Sequence, residues 1–117
     1  MPTVEKSLIF LASPLTHGPD FVANVTRAVQ TSYSLLIRGY LVFCPHLFVF
    51  ARMIVSETTD DFWRELALQW VTRCDMVVFD NLQSPGVRAE VDFAKSLGKK
   101  IVSLDVFAAD LALDTGG

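Results

Sequence analysis

Short, continuously apolar runs alternate with longer amphipathic stretches along the whole chain, and each run is closed by proline or an acid. Strands apolar at every position suit a sheet covered on both faces, and strand–helix alternation implies right-handed parallel crossovers. Together these observations predict an α/β fold: a flavodoxin- or Rossmann-like three-layer sandwich around a four- or five-stranded parallel sheet. No internal repeat or linker interrupts the 117 residues. A single domain over 1–117 is expected, large enough for one hydrophobic core and too short for two domains.

The elements follow in order. "SLIFLAS" (7–13) is the first strand, stopped by Pro14. In 17–39, apolar or small residues at 21, 25, 28, 29, 32, 35 and 36 form a helical stripe, with Arg38 in the last turn and Gly39 at the end. "YLVFC" (40–44) is a second strand stopped by Pro45. The segment 46–59, "HLFVFARMIVSETT", admits two readings: a short helix, or an apolar flap against another subunit. Thr58 or Thr59 followed by Asp60 and Asp61 starts a helix running to about Arg73, with Phe62, Leu66, Trp70 and Val71 as its stripe. "DMVVFD" (75–80) is the third strand, 84–97 a helix closed by Gly98, and "KIVSL" (100–104) the fourth strand. The tail from 105 predicts a last helical turn fraying into Gly116 and Gly117.

Composition narrows the function. The net charge is −3, and Lys and Arg are not clustered, which argues against nucleic acid or an anionic membrane as partner and favours a small molecule. Cys44 and Cys74 lie in or beside apolar runs at neither a metal nor a redox spacing, so buried thiols without a disulfide are expected. The first residues lack a convincing cleavage site, and the apolar stretch 40–55 is broken by Pro45, His46 and Arg52, too soon for a membrane span. A cytoplasmic protein is the expectation. Neither glycine spacing of the common phosphate loops occurs, and His17, Cys44 and His46 lack ligand spacing, so neither cofactor nor metal is expected.

Ligands of parallel α/β sheets sit at the carboxyl ends of strands, which singles out "SPLTHG" (13–18), "PHLF" (45–48) and "DNLQSPG" (80–86). The last runs into "SPGVRAE" (84–90). Ser84 reads as an N-cap and Pro85 as the first helical residue. Val87, Val91, Ala94 and Leu97 form the apolar stripe, and Arg88, Asp92, Lys95 and Lys99 the opposite face. Glu90, three residues after Val87 and four before Ala94, falls on the apolar side. A carboxyl there is either neutralised by a partner or lines a cleft. Burial would raise its pKa, whereas the amides at the helix start would favour its charged form. Those amides near Gly86, with the Ser84 hydroxyl, also make an anion site.

The stretch "SPGVRAEVDFAKSLGKKIV" preceded by "CDMVVFD", together with "IFLASP" and "GYLVFCPH", resembles the nucleoside 2-deoxyribosyltransferase superfamily, including its nucleotide N-hydrolase branch and related small phage and bacterial proteins. The resemblance implies that Glu90 is the nucleophile at the anomeric carbon of a (deoxy)ribosyl group, in a retaining mechanism through a glycosyl-enzyme intermediate. It implies that Ser84 contacts the 5′-phosphate of a nucleoside monophosphate, at the anion site around Gly86, and that His46 and Ser13 line the same cleft; Asp80, at the end of the third strand, is a further substrate-binding candidate. It also implies a homodimer, for which the apolar block 47–55 provides surface.

The chain departs from that pattern twice. Ala67 stands where the family has an aspartate, the acid for the departing base, and Phe10 where many members have a tyrosine near the nucleophile. The alternative is a non-catalytic nucleotide-binding or sensor protein on the same scaffold. A receiver-domain reading of "DMVVFDNLQSPG" fails because "FLASPLTHG" lacks the acidic pair that would hold Mg²⁺.

Overall fold

A computed structural model describes residues 7–15, 17, 18, 20–55 and 57–108, leaving aside the side chains of Phe50 and Arg52. Four strands, β1 (Leu8–Ala12), β2 (Leu41–Phe43), β3 (Met76–Phe79) and β4 (Lys100–Ser103), form one sheet of order β2-β1-β3-β4, every pair parallel. The helices are α1 (Phe21–Ile37), α2 (Val49–Ile54), α3 (Asp60–Arg73) and α4 (Pro85–Ser96). The expected α/β fold is thus met, with four strands among the described residues.

The pleat of β1 sorts the core into two layers. Ile9 and Leu11 face α1, packing in one cluster with Ala28 and Leu35. Phe10 and Ala12 face α3 and α4, in a second cluster with Ala67, Val71, Val87, Val91 and Ala94. Phe10 pairs in register with Phe43 on one side and Val77 on the other, so β1 is the buried centre of the sheet.

The ambiguous segment after β2 is helical: a 3₁₀ turn over Pro45–Phe48 leads into α2. Leu47, Phe48, Met53, Ile54 and Val55 remain exposed on it. Thr59 caps α3, its hydroxyl accepting from the Phe62 amide at 3.1 Å. The α3 stripe is rotated from the expected one: Ala67 and Val71 are buried while Phe62 is exposed, because α3 lies against α4 and the small Ala67 lets it approach. Leu97 is likewise exposed, since it is the C-cap of α4 and lies past the last packed turn; Gly98 follows at φ 71°, a left-handed geometry that favours glycine. Arg38 is the C-cap of α1 and not a residue of its last turn.

Lys99 closes the end of α3, its ammonium donating to the carbonyls of Thr72 (3.0 Å) and Cys74 (2.9 Å). Residues 104–108 are helical and bury Phe107 against Tyr40. The expected fraying at Gly116 and Gly117 lies outside the described residues. Cys44 and Cys74 are buried free thiols. Among the described residues no helix is long and apolar enough to cross a membrane.

Candidate functional site

The order β2-β1-β3-β4 puts the switch in strand order between β1 and β3, where the chain leaves β1 for α1 on one face and β3 for α4 on the other. Loops diverging at such a point open a crevice at the carboxyl ends of the strands. A cavity of about 310 Å³ lies there, with Ser13, Asp20, Asn24, Arg27, Asp80 and Asn81 in its wall. Asn24 shapes the rim by donating its side-chain amide to the carbonyls of Leu15 (3.0 Å) and His17 (2.9 Å). Arg27 grips Asp80 with two donors, Nε to Oδ2 at 3.0 Å and Nη2 to Oδ1 at 3.1 Å. With the Arg27 side chain 62% exposed, this pair orients more than it stabilises.

The turn from β3 to α4 is built by Asn81. It adopts φ 65°, accepts the Gln83 amide on Oδ1 at 3.1 Å, and accepts the Ser84 amide on its carbonyl at 3.2 Å. Asparagine tolerates this left-handed geometry because its short polar side chain bonds locally. The turn delivers Ser84 to the N-cap position of α4, 4% exposed, but the expected capping bond is not made. The first amides of α4 therefore have neither an intrahelical partner nor a side-chain cap. Space over Gly86 is open, since a Cβ built there would meet nothing within 4 Å.

Glu90 follows one turn later on the sheet-facing side, between buried Val87 and Val91. Its carboxylate has no hydrogen-bond or ion-pair partner among the described residues. Neither has the hydroxyl of Ser13 or of Ser84. No sealed side-chain nitrogen or oxygen among the described residues lacks a partner, so these three groups each keep an oxygen that solvent touches. Desolvation alone pushes the Glu90 pKa up to about 8. The residue is only half-buried by surface area. The two facts agree if the carboxyl stands at the mouth of a narrow apolar recess, where few waters reach it.

His46 has a different place from the one its motif implied. It is 3% exposed, and both ring nitrogens are engaged, Nε2 with the Pro14 carbonyl at 2.7 Å and Nδ1 with Cys44 Sγ at 3.3 Å. A carbonyl only accepts, so Nε2 carries the proton and Nδ1 accepts from the thiol. Burial lowers the His46 pKa and raises that of Cys44 to about 11, with the nearby Glu90 charge adding to the latter. His46 thus holds the loop after β1 from behind, fixing the backbone next to Ser13. Its ring lies too deep to offer a ligand an edge.

The structure brings Ser13 and Asp80 into one cavity, and Ser84, Gly86 and Glu90 onto the first turns of the helix that follows Asp80. Phe10 and Ala67 are both in the core layer beneath α4, and Ala67 also lines a small apolar pocket with Phe43, Phe48 and Trp63. Arg27 and Asn24 escaped the sequence reading, although Asp20, Asn24 and Arg27 repeat at helical spacing along one flank of the apolar stripe of α1. Among the described residues no group of three or more metal-ligating side chains occurs.

A family profile described as a domain of unknown function, DUF7768, matches residues 7–104. The chain belongs to that family. No curated protein sequence matches this DUF7768 chain. Among solved structures it is similar to a 2-deoxyribosyltransferase from Leishmania mexicana, with TM-score 0.56 and 20% identity over 83% of this chain and 63% of that one. It is also similar to a 2-deoxyribosyltransferase from the psychrotolerant bacterium Bacillus psychrosaccharolyticus, with TM-score 0.55 and 22% identity over 83% and 71%. The DUF7768 chain thus shares their fold while spanning less than two thirds of the Leishmania enzyme.

Proposed function

We propose that the protein cleaves, or transfers across, the N-glycosidic bond of a nucleoside 5′-monophosphate, with Glu90 as nucleophile. The observation that carries the reading is the Glu90 carboxylate: without a partner among the described residues, touched by solvent and turned towards the sheet one turn into α4. A carboxyl with a purely structural role would have a donor. The fold shared with two 2-deoxyribosyltransferases supports the same chemistry.

Ionised Glu90 attacks the anomeric carbon, and the bond to the base breaks with its electron pair leaving on the base, which takes a proton from water. The glycosyl ester is then opened by water, giving the sugar phosphate, or by a second base, giving a new nucleotide. The Ser84 hydroxyl and the uncapped amides around Gly86 hold the phosphate, aided by the positive end of α4. Ser13 and Asp80 border the substrate. The exposed apolar residues of the 3₁₀ turn and α2 support a homodimer, and two free buried thiols suit a reducing cytoplasm.

The second reading, a nucleotide sensor without turnover, is favoured by Ala67 and Phe10, which bring neither an acid nor a hydroxyl at those two positions of the layer beneath α4. One experiment separates the two: base release from ribo- and deoxyribonucleoside 5′-monophosphates, followed by chromatography, with Glu90→Gln in parallel and thermal shifts on the same samples. Release abolished in the variant supports the enzyme. Stabilisation without release supports the sensor, and unchanged release in the variant removes Glu90 from the nucleophile role.

A further inference from the structure

Helix α1 carries more apolar surface than its place in the fold uses. Ala28 and Leu35 meet the sheet through Ile9 and Leu11, and an apolar arc of about 100° is enough for such packing. A second arc lies beside it. Val22, Val29, Tyr33, Leu36 and Ile37 are exposed, Val22 by 70% and Tyr33 by 64%. At ~100° per residue these five and Thr26 fall within about 100° of one another. Val22, Thr26, Val29, Tyr33 and Leu36 follow the alternating four-three spacing of a heptad seam along the 17 residues of the helix. The arc holds no charge, since Arg27, the one ionised side chain within α1, lies outside it and is held by Asp80 at 3.0 Å. A tyrosine carries ~150–250 Å² of surface and the aliphatic residues somewhat less, so the five expose roughly 500 Å². That matches the apolar share, about 65%, of the ~800 Å² that each partner gives to a standard interface. The exposed residues of the 3₁₀ turn and α2 belong with the opposite core layer, because Phe48 packs on Phe43 of the cluster under α3 and α4.

We propose that α1 docks on α1 of a second copy, antiparallel, about a two-fold axis beside Val29. Val29 is the midpoint of α1, and about it the stripe is its own complement. Across the axis the small Thr26 lies opposite the bulky Tyr33, and Val22 opposite Leu36 and Ile37. Self-complementarity of this kind is what a second copy supplies. No like charges meet across the seam, and antiparallel pairing sets the two helix dipoles head to tail. The seam is separate from the 45–55 surface, so a chain that uses both assembles beyond a dimer. It is also independent of the glycosyl reading.

Sedimentation equilibrium gives the masses of wild type, Val29→Glu and Met53→Glu, with circular dichroism as the check on folding. Val29→Glu sets two carboxylates against each other at the axis, whereas Met53 is an exposed residue of α2. The wild-type mass should be halved by Val29→Glu, while Met53→Glu keeps the α1 seam and so remains a dimer or larger. A monomeric wild type, a Val29→Glu chain of unchanged mass, or a monomeric Met53→Glu chain overturns the proposal and leaves the α1 face to a different occupant. Cysteine cross-linking tests the orientation, and it decides the matter even if Val29→Glu fails to fold. Cys44 and Cys74 are buried, so an introduced surface thiol reports alone. Under mild oxidation Val29→Cys should give a covalent dimer and Val22→Cys none, because position 22 lies about 10 Å along the helix from the axis and ~20 Å from its counterpart. Equal cross-linking at both positions, or none at position 29, overturns the antiparallel seam.

Discussion

Replacing Glu90 by glutamine should stabilise the protein at alkaline pH, and by an amount that depends on pH in a defined direction. In the fold the carboxyl titrates near 8, against an ordinary 4.5 when the chain is unfolded. Between those values the native state binds the extra proton, so stability falls as pH rises through the window and the full cost is present above 8. The span from 4.5 to about 8, at about 1.4 kcal/mol per pH unit, sets a ceiling of about 5 kcal/mol. Solvent touches the carboxyl, so screening reduces this to roughly 2 kcal/mol. Glutamine has nearly the same shape and no charge to desolvate. Urea unfolding at pH 5 and pH 8.5 measures the difference: the variant should match wild type at pH 5 and gain about 1 M in midpoint at pH 8.5. Equal midpoints at both values would show that Glu90 is solvated or paired, and the argument from an unpaired carboxylate would fail. The same pKa requires that any Glu90-dependent base release rise with pH up to about 8.

His46→Ala should cost about 2–4 kcal/mol in urea unfolding, because it opens a buried hole and leaves the Pro14 carbonyl unpaired. Burial lowers the His46 pKa, so wild type should lose stability as pH falls below 6.5 towards that lowered value, and the variant should lose this acid limb. Ala67→Asp puts a carboxyl among Phe43, Phe48 and Trp63, and should destabilise by about 2 kcal/mol at pH 8 and by less at pH 5, where the acid is neutral. Thr59→Ala should lower stability by about 1 kcal/mol through the lost cap, without changing any pH dependence.

The layers of the fold were legible because periodicity reports burial, and burial is what a parallel sheet imposes on its strands. Ile9 to Ala12 are apolar at every position because both faces of β1 are covered. Where burial was partial, the pattern misled: Phe62 and Leu97 fit a stripe but lie beyond the packed surface. The half-buried position of Glu90 between Val87 and Val91 was readable for the same reason, as a polar residue in an apolar register. His46 was not, since a histidine after a strand serves a loop or a ligand equally well, and only the 2.7 Å contact with Pro14 decides between them. Arg27 was hidden by the opposite ambiguity. A charged residue on the polar face of a helix looks solvated until a loop 53 positions away brings Asp80 against it.

The two departures from the deoxyribosyltransferase pattern bear on Glu90 together. Phe10 and Ala67 pack in one cluster with Val87 and Val91, the residues that flank Glu90 on α4. The cluster is closed by aromatic packing, Phe10 on Phe43 at 5.8 Å and Phe43 on Trp70 at 4.2 Å between ring centres. A hydroxyl at position 10 could donate towards a carboxylate and hold its pKa down, whereas a phenyl ring only excludes water. Phe10 brings no such donor to the apolar layer that also holds Val87 and Val91. With a pKa near 8, about one molecule in ten carries the ionised form at pH 7, a cost of about tenfold in any step that needs the anion. On the proposed function, an alanine at position 67 affects the other half of the reaction, the departure of the base. A base that leaves well without protonation suffers least from that loss.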